Sequence, residues 1–91
     1  EAQSRSASSK NFELLAHLNR KLNDAELELL ADAVDRNADV VIVYTDSNGT
    51  TSARAVRPHH VYGKWLDAWC HLRNAQRDFT VAKIKAVAPL G

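Results

Sequence analysis

The segment from residue 64 to residue 73 (KWLDAWCHLR) alternates between small or apolar residues and residues that could bind a ligand. Because side chains on a strand point to opposite faces with a period of two, the pattern predicts a strand with one apolar and one functional face. An indole can stack on a nucleic-acid base, and a guanidinium can fork to a phosphate. The functional face would carry Trp65, Asp67, Trp69, His71 and Arg73, and the buried face Leu66, Ala68, Cys70 and Leu72.

Each of these residues also has a purely structural interpretation. The two indoles could pack against the end of a small barrel, because tryptophan is mostly buried in folded proteins. Arginines could pair with nearby aspartates in exposed ion pairs of small energetic value. Arg54, Arg73 and Arg77 taken together nevertheless favour an anion site, in which Trp69, with Trp65 beside it, stacks a base and the arginines hold phosphate.

The distribution of charge supports an anionic ligand. Residues 1–50 contain nine acidic and five basic side chains, whereas residues 51–91 contain seven basic and two acidic ones. A basic half of this kind produces a positive field that attracts anions. The net charge of +1 conceals this asymmetry.

Other functional classes lack a signal in the sequence. One cysteine and four scattered histidines do not have the spacing of a zinc site, so no metal and no cofactor are expected. The histidines have no nucleophile in a recognisable catalytic motif, so an enzyme is not expected. The chain contains no apolar run long enough to span a bilayer and no signal peptide, and its single cysteine suits a reducing compartment. The expected location is the cytoplasm, without membrane contact.

Three segments are expected along the chain. Residues 1–10 are rich in Ser and Ala without periodicity, which predicts a disordered linker. Apolar residues recur every three or four positions over 11–22, which predicts a short helix accessory to the domain. Asn23 followed by Glu26 has the spacing of a capping box at the start of a second helix, which would bury Leu27, Leu30 and Val34 and end near Arg36.

The remainder of the chain is typical of short antiparallel strands. Residues 40–44 form a β-branched run, residues 46–49 a turn, and Pro58 marks an edge or bulge in the returning strand. Ile84 and Val87 predict one helical or 3₁₀ turn and a last strand through Pro89. The expected class is mainly β (α+β), a small, strongly bent antiparallel barrel of about five strands preceded by one or two helices. Its strands should bury Val41, Val43, Leu66, Ala68, Cys70, Leu72, Phe79 and Ile84.

The region from Leu30 to Leu90 resembles the WYL domain, a bacterial module with an Sm-like or SH3-like β-barrel preceded by a helix. The motifs that match are the strand ending in Tyr44, the Asn48-Gly49 turn, the stretch RAVRP at 54–58 and the stretch RDFTVAKI at 77–84. The triplet that names the family aligns with Lys64-Trp65-Leu66, so a lysine replaces its first aromatic residue, and Lys83 replaces the arginine of the last motif. On this resemblance residues 23–91 form the WYL-like barrel domain with its helix.

The resemblance also implies a function. WYL domains lie beside winged-helix or helicase domains and regulate them by binding nucleic acid or another anion, and this chain looks most like the module at the end of actinobacterial helicase-type proteins. The expected ligand is single-stranded DNA or RNA or a nucleotide-like anion, and the other expected partners are domains of the parent chain. The alternative is a module that docks a protein, or another part of its own chain, on its aromatic strand face. The expected ligand-binding residues are Arg54, Arg57, Trp65, Trp69, His71, Arg73, Arg77 and Lys83.

Overall fold

The computed structural model describes the backbone of residues 2–90 and the side chains of residues 10–90. Two helices precede five strands. The elements are α1 (Ala2–Leu18), α2 (Asp24–Arg36), β1 (Val40–Thr45), β2 (Thr51–Tyr62), β3 (Trp65–Cys70), β4 (Ala75–Thr80), the 3₁₀ turn Val81–Lys83 and β5 (Ile84–Pro89). Neither helix is long and apolar enough to cross a membrane.

The first helix differs from the sequence-based expectation at both ends. It begins at Ala2, so residues 2–10 are helical where a linker was predicted, and it ends at Leu18 rather than at residue 22. Helix propagation costs little once a turn is anchored, and Leu15 anchors α1 in the core with no exposed surface. Periodicity alone therefore could not locate its start. Residue 1 lies outside the described residues.

The second helix begins as predicted. The Asn23 side chain accepts a hydrogen bond from the Glu26 backbone N–H at 2.8 Å, and the Glu26 carboxylate accepts one from the Asn23 N–H at 3.1 Å. This reciprocal capping box satisfies two backbone donors that the helix itself cannot pair. The helix ends at Arg36, and the following residue, Asn37, has a φ of 52°, the left-handed conformation typical of helix C-termini.

All five strands form one antiparallel sheet in the order β4-β3-β2-β1-β5. The mainly β, α+β class is confirmed, but the edge strands β4 and β5 do not pair, so the sheet stays open instead of closing into a barrel. A flat sheet would hold its two edges about 19 Å apart. The 3₁₀ turn joins Thr80 to Ile84 over only about 8 Å. The short connection therefore requires the strong bend that the sequence predicted.

One face of the sheet packs against the helices; we call it the inner face, and the opposite face the outer face. Most of the predicted core lies there, namely Leu27, Leu30, Val34, Leu66, Ala68, Cys70, Phe79 and Ile84. In β1, however, Val40 and Ile42 are buried and the predicted Val41 and Val43 lie half-buried on the outer face. A continuous apolar run has no alternation from which its inward face could be predicted.

Candidate anion site and aromatic face

Within the predicted segment 64–73, the alternation is confirmed only over the six residues of β3. Leu66, Ala68 and Cys70 are fully buried, whereas Trp65, Asp67 and Trp69 lie on the outer face. The strand ends at Cys70, and residues 71–74 form a turn in which Asn74 adopts a φ of 53°. His71 and Arg73 therefore lie in a turn and not on the strand face. Leu72, predicted to be buried, is 68% exposed for the same reason.

The outer face is organised in rows of side chains across β2, β3 and β4. Residues paired in an antiparallel register share a face and lie side by side. The rows are Arg57–Trp69–Gln76, His60–Asp67–Asp78 and Tyr62–Trp65–Thr80. A bulge between Pro58 and His60 allows His60 and Tyr62 to face the same side as Arg57. The two indoles therefore share a face with Asp67, as predicted, and also with Asp78, which sequence analysis did not place there.

Arg57 and His71 are both held by Asp39. The Arg57 Nε donates to Asp39 Oδ1 at 2.9 Å, its Nη2 donates to Oδ2 at 3.3 Å, and His71 Nε2 lies 3.0 Å from the same Oδ1. The hydrogen bond from Arg57, and then that from His71, lower the pKa of the Asp39 carboxyl. The charge of Arg57 is thus neutralised locally. Sequence analysis missed Asp39, although the hairpin register, which pairs Val40 with Val56, places it opposite Arg57.

The other end of the outer face is aromatic and acidic. The ring centroids of Tyr62 and Trp65 lie 5.8 Å apart, and those of His60 and Tyr62 lie 5.3 Å apart. Asp67 accepts a hydrogen bond from the Gln76 amide, and a hydrogen bond between Asp78 and the Tyr62 hydroxyl raises the pKa of that tyrosine. Sequence analysis identified Pro58 as an edge or a bulge, but it did not follow the change of phase that the bulge causes in the rest of β2.

Arg54 lies on the inner face, opposite this surface. It pairs with Ile42 in the register and is only 8% exposed. Its Nε donates to the Ser52 hydroxyl at 3.3 Å. Among residues 10–90, no carboxylate lies within ion-pair distance of its guanidinium. A charge that is removed from water without a counter-ion is costly, which makes Arg54 a candidate for contact with an anion.

The remaining predicted cations are exposed. Arg73 lies in the turn between β3 and β4, and Arg77 pairs with the buried Ala68, so that its side chain starts from the inner face of the edge strand. Lys83 lies in the 3₁₀ turn. None of the three forms an ion pair with a described side chain. The structure therefore separates the predicted ligand-binding residues. Arg54 and Arg77 lie on the inner face, whereas Arg57, Trp65 and Trp69 lie on the outer face. His71 and Arg73 lie in the turn after β3, and Lys83 lies in the 3₁₀ turn after β4.

Comparison with known proteins agrees with this architecture. The family model for the WYL domain matches residues 25–89, which include α2 and all five strands. The chain belongs to the WYL domain family. WYL domains are regulatory, non-catalytic modules that bind ligands or nucleic acids in DNA-associated proteins.

A solved structure shares the fold. The proteasome accessory factor B/C (PafBC) of Arthrobacter aurescens superposes with a TM-score of 0.61 at 19% identity over 69% of this chain. The match spans 11% of the PafBC chain, so it compares one module of that larger protein. A search of curated protein sequences gives no significant match.

Proposed function

We propose that this domain is a regulatory module that binds single-stranded nucleic acid or a nucleotide-like anion, and that it thereby modulates a larger, helicase-type DNA-acting protein in the bacterial cytoplasm. The observation that supports this proposal most directly is the environment of Arg54, a residue only 8% exposed whose guanidinium has one neutral partner and no counter-ion among the described side chains. An anion at this position would supply the missing charge. Charge-assisted hydrogen bonds from a guanidinium are among the stronger polar contacts in proteins.

Two further arginines extend this site. The turn of residues 71–74 lies alongside β2, because the His71 N–H donates to the Ala55 carbonyl at 3.0 Å. Arg73 follows in that turn, and Arg77 lies on the inner face of the next strand. Arg54, Arg73 and Arg77 thus belong to the inner face and to the turn that borders it. Their charge is free to act on a phosphate backbone.

The division of the predicted residues changes the expected mode of binding. Arg57 is neutralised by Asp39, and the face that carries Trp65 and Trp69 also carries Asp67 and Asp78. A phosphate held at Arg54 lies on the opposite side of the sheet from both indoles. In our proposal the arginines therefore bind the ligand by charge. Trp69 stacks a base only if the single-stranded nucleic acid passes around the edge of the sheet to the outer face.

The proposal is tested by the salt dependence of binding to a labelled oligothymidylate, measured by fluorescence anisotropy. A cation that neutralises a phosphate of a single strand releases counterions, so three engaged arginines give a log–log slope of roughly −2. Replacing Arg54, Arg73 and Arg77 together with glutamine should abolish most of the slope. Binding that does not depend on salt, or a slope that survives this triple substitution, would contradict the proposal.

A matched control removes the same number of charges elsewhere. Lys10, Arg20 and Lys21 are exposed cations in and just after α1. Replacing all three with glutamine changes the net charge by the same amount but leaves the inner face intact. The control should keep most of the affinity and of the slope, and an equal loss in both variants would show that binding follows net charge and not the proposed site.

A further inference from the structure

Three rings form a continuous exposed row on the outer face. His60, Tyr62 and Trp65 follow one another with centroid separations of 5.3 and 5.8 Å, and their planes are tilted by 35° and 42°. Tyr62 is 41% exposed and Trp65 is 38% exposed. We call these residues the aromatic row. Large exposed rings placed side by side are unusual on a small domain and point to a binding surface.

The backbone holds the aromatic row in place. The β-bulge after Pro58 aligns Tyr62 with Trp65 across β2 and β3. Gly63, at a φ of 56°, lies beneath the indole, and a side-chain carbon at this position would come within 3.3 Å of Trp65 Cε3. The turn thus needs glycine for both its conformation and its contact with the ring. The contact with Gly63 restricts the positions open to the Trp65 ring, which lowers the entropy cost of binding.

The charges around the aromatic row favour a cation. Asp67 and Asp78 are direct cross-strand neighbours on this face, and like charges in that position repel each other. The faces of aromatic rings also attract cations. One cation of this chain already shows the effect: Lys64 Nζ lies 5.4 Å from the Trp65 ring, and within residues 10–90 it has no carboxylate partner. A polyanion would meet two carboxylates here, whereas a cation would relieve their repulsion.

We propose that the aromatic row, together with Asp67 and Asp78, is a docking site for an exposed arginine on a peptide segment of a partner protein. Arginine fits better than lysine, because its planar guanidinium can stack on a ring while its N–H groups fork to carboxylates. This site is separate from the anion site around Arg54, since the two lie on opposite faces of the sheet. The domain would then hold an anion on one face and a basic protein segment on the other.

The first test compares two acetylated peptides of glycine and serine that carry either two arginines or two citrullines at the same positions. Citrulline keeps the planar shape and loses the charge. Titrations followed by amide NMR should show about tenfold tighter binding of the arginine peptide, with shifts centred on Tyr62, Trp65 and Asp78. Equal affinity of the two peptides, or shifts centred elsewhere, would overturn the proposal.

Substitutions assign the effect to the site. Asp67→Asn and Asp78→Asn should each weaken arginine-peptide binding by about two- to fivefold, and Trp65→Leu by a similar factor. Asp32→Asn, which removes the same charge from the exposed surface of α2, should not change the affinity. Each variant must keep the amide spectrum of a folded domain. An effect of Asp32→Asn as large as that of Asp78→Asn would mean that only the overall charge matters.

Lys64 separates the proposed partner from a nucleic acid. Its ammonium competes with an incoming guanidinium for the Trp65 ring, so Lys64→Gln should strengthen arginine-peptide binding by about two- to fivefold. The same substitution would weaken a nucleic acid bound to this face, because it removes a cation. Weaker peptide binding by Lys64→Gln, or oligothymidylate shifts centred on the aromatic row that Lys64→Gln diminishes, would contradict the assignment. So would self-association of the chain through this face in the absence of peptide.

Discussion

At the scale of single residues, Arg54 is the side chain whose position has the greatest functional consequence. It lies beside Ile42, is only 8% exposed and has one hydrogen bond, to Ser52, so it loses much of its contact with water without gaining an ion pair among the described residues. Replacing buried charged groups with apolar side chains of similar volume is often stabilising. A residue that a fold keeps at such a cost is better explained by a ligand than by stability.

This interpretation predicts the sign of a stability change. Methionine is unbranched and similar in length to the arginine stem, so Arg54→Met should raise the free energy of unfolding by about 1–3 kcal/mol. The measurement is urea unfolding of the ligand-free domain. A clear loss of stability would mean that the hydrogen bond to Ser52 makes Arg54 a structural residue.

Asp39 predicts a pH dependence. Its folded-state pKa is lowered by Arg57 and His71, so its contribution to stability is complete above the unfolded value of 3.8 and is lost as the pH falls through the lower folded value. Unfolding experiments between about pH 2 and pH 6 should therefore show a steeper acid-side loss of stability for the wild type than for Asp39→Asn. Parallel curves would indicate that the contacts with Arg57 and His71 do not persist in solution.

The same residues show why the site was predicted only in part. Arg54 and Arg57 were grouped because both belong to one family motif, but a spacing of three residues in a strand places them on opposite faces. The partner of Arg57 is eighteen positions away in the sequence and meets it only through the hairpin register. Arg54 remains a predicted ligand-binding residue. Its burial could not be predicted, because period-two patterns do not show which face of a central strand the helices cover.

At the scale of elements, local signals were reliable where a turn or cap has a defined chemistry. The capping box of α2 was predicted from two residues and is present, and Pro58, predicted to mark an edge or a bulge, lies at a bulge. The helical or 3₁₀ turn was misplaced: it was predicted from Ile84 and Val87, which belong to β5, whereas the 3₁₀ turn is Val81–Lys83. The end of β3 was not predicted, because the alternating pattern continues through Leu72 and Arg73 while the chain turns after Cys70. Hydrophobic alternation describes faces, and it does not show where pairing with the neighbouring strand stops.

A buried asparagine ties the helical and sheet parts together. Asn19 Nδ2 donates to the Val81 and Ile84 carbonyls at 2.7 and 2.8 Å, and its Oδ1 accepts from the Lys21 and Leu22 backbone N–H groups at 2.9 and 3.3 Å. Asn19→Ala leaves four backbone groups without this partner and should cost about 2–4 kcal/mol. Asn23→Ala removes only an exposed cap and should cost about 1 kcal/mol. Urea unfolding compares the two, and equal losses would show that water replaces Asn19.

At the scale of the whole molecule, a contact across the bent sheet holds the inner face together. Tyr44 of β1 and Phe79 of β4 meet edge to face at 5.0 Å, although their strands are not neighbours in the sheet, and the Thr80 N–H donates to the Tyr44 hydroxyl at 3.0 Å. Phe79→Ala should therefore cost about 3–5 kcal/mol, a large share of the stability of a domain this small. A loss below about 1 kcal/mol in thermal or urea unfolding would show that the core tolerates the cavity.

The bend also gives the molecule two different surfaces. The inner face and its bordering turn carry three arginines that form no ion pair with any side chain of residues 10–90, whereas the outer face carries aromatic rings, carboxylates and a neutralised arginine. Members of this family regulate larger proteins, and a domain with one face for an anion and one for a protein segment could couple the two by mass action. Such coupling requires an equilibrium between two states of the domain that both ligands shift in the same direction.

The central claim, that the anion binds at Arg54, is tested most directly by comparing two arginines on the same strand. Arg54→Gln and Arg57→Gln remove identical charges from opposite faces of β2, and only Arg57 has a carboxylate partner among the described residues. In oligothymidylate titrations over a range of salt concentrations, Arg54→Gln should weaken binding by about tenfold or more and flatten the salt slope by about 0.7, while Arg57→Gln should leave both nearly unchanged. Equal effects of the two substitutions, or a larger effect of Arg57→Gln, would contradict the assignment of the anion site to the inner face.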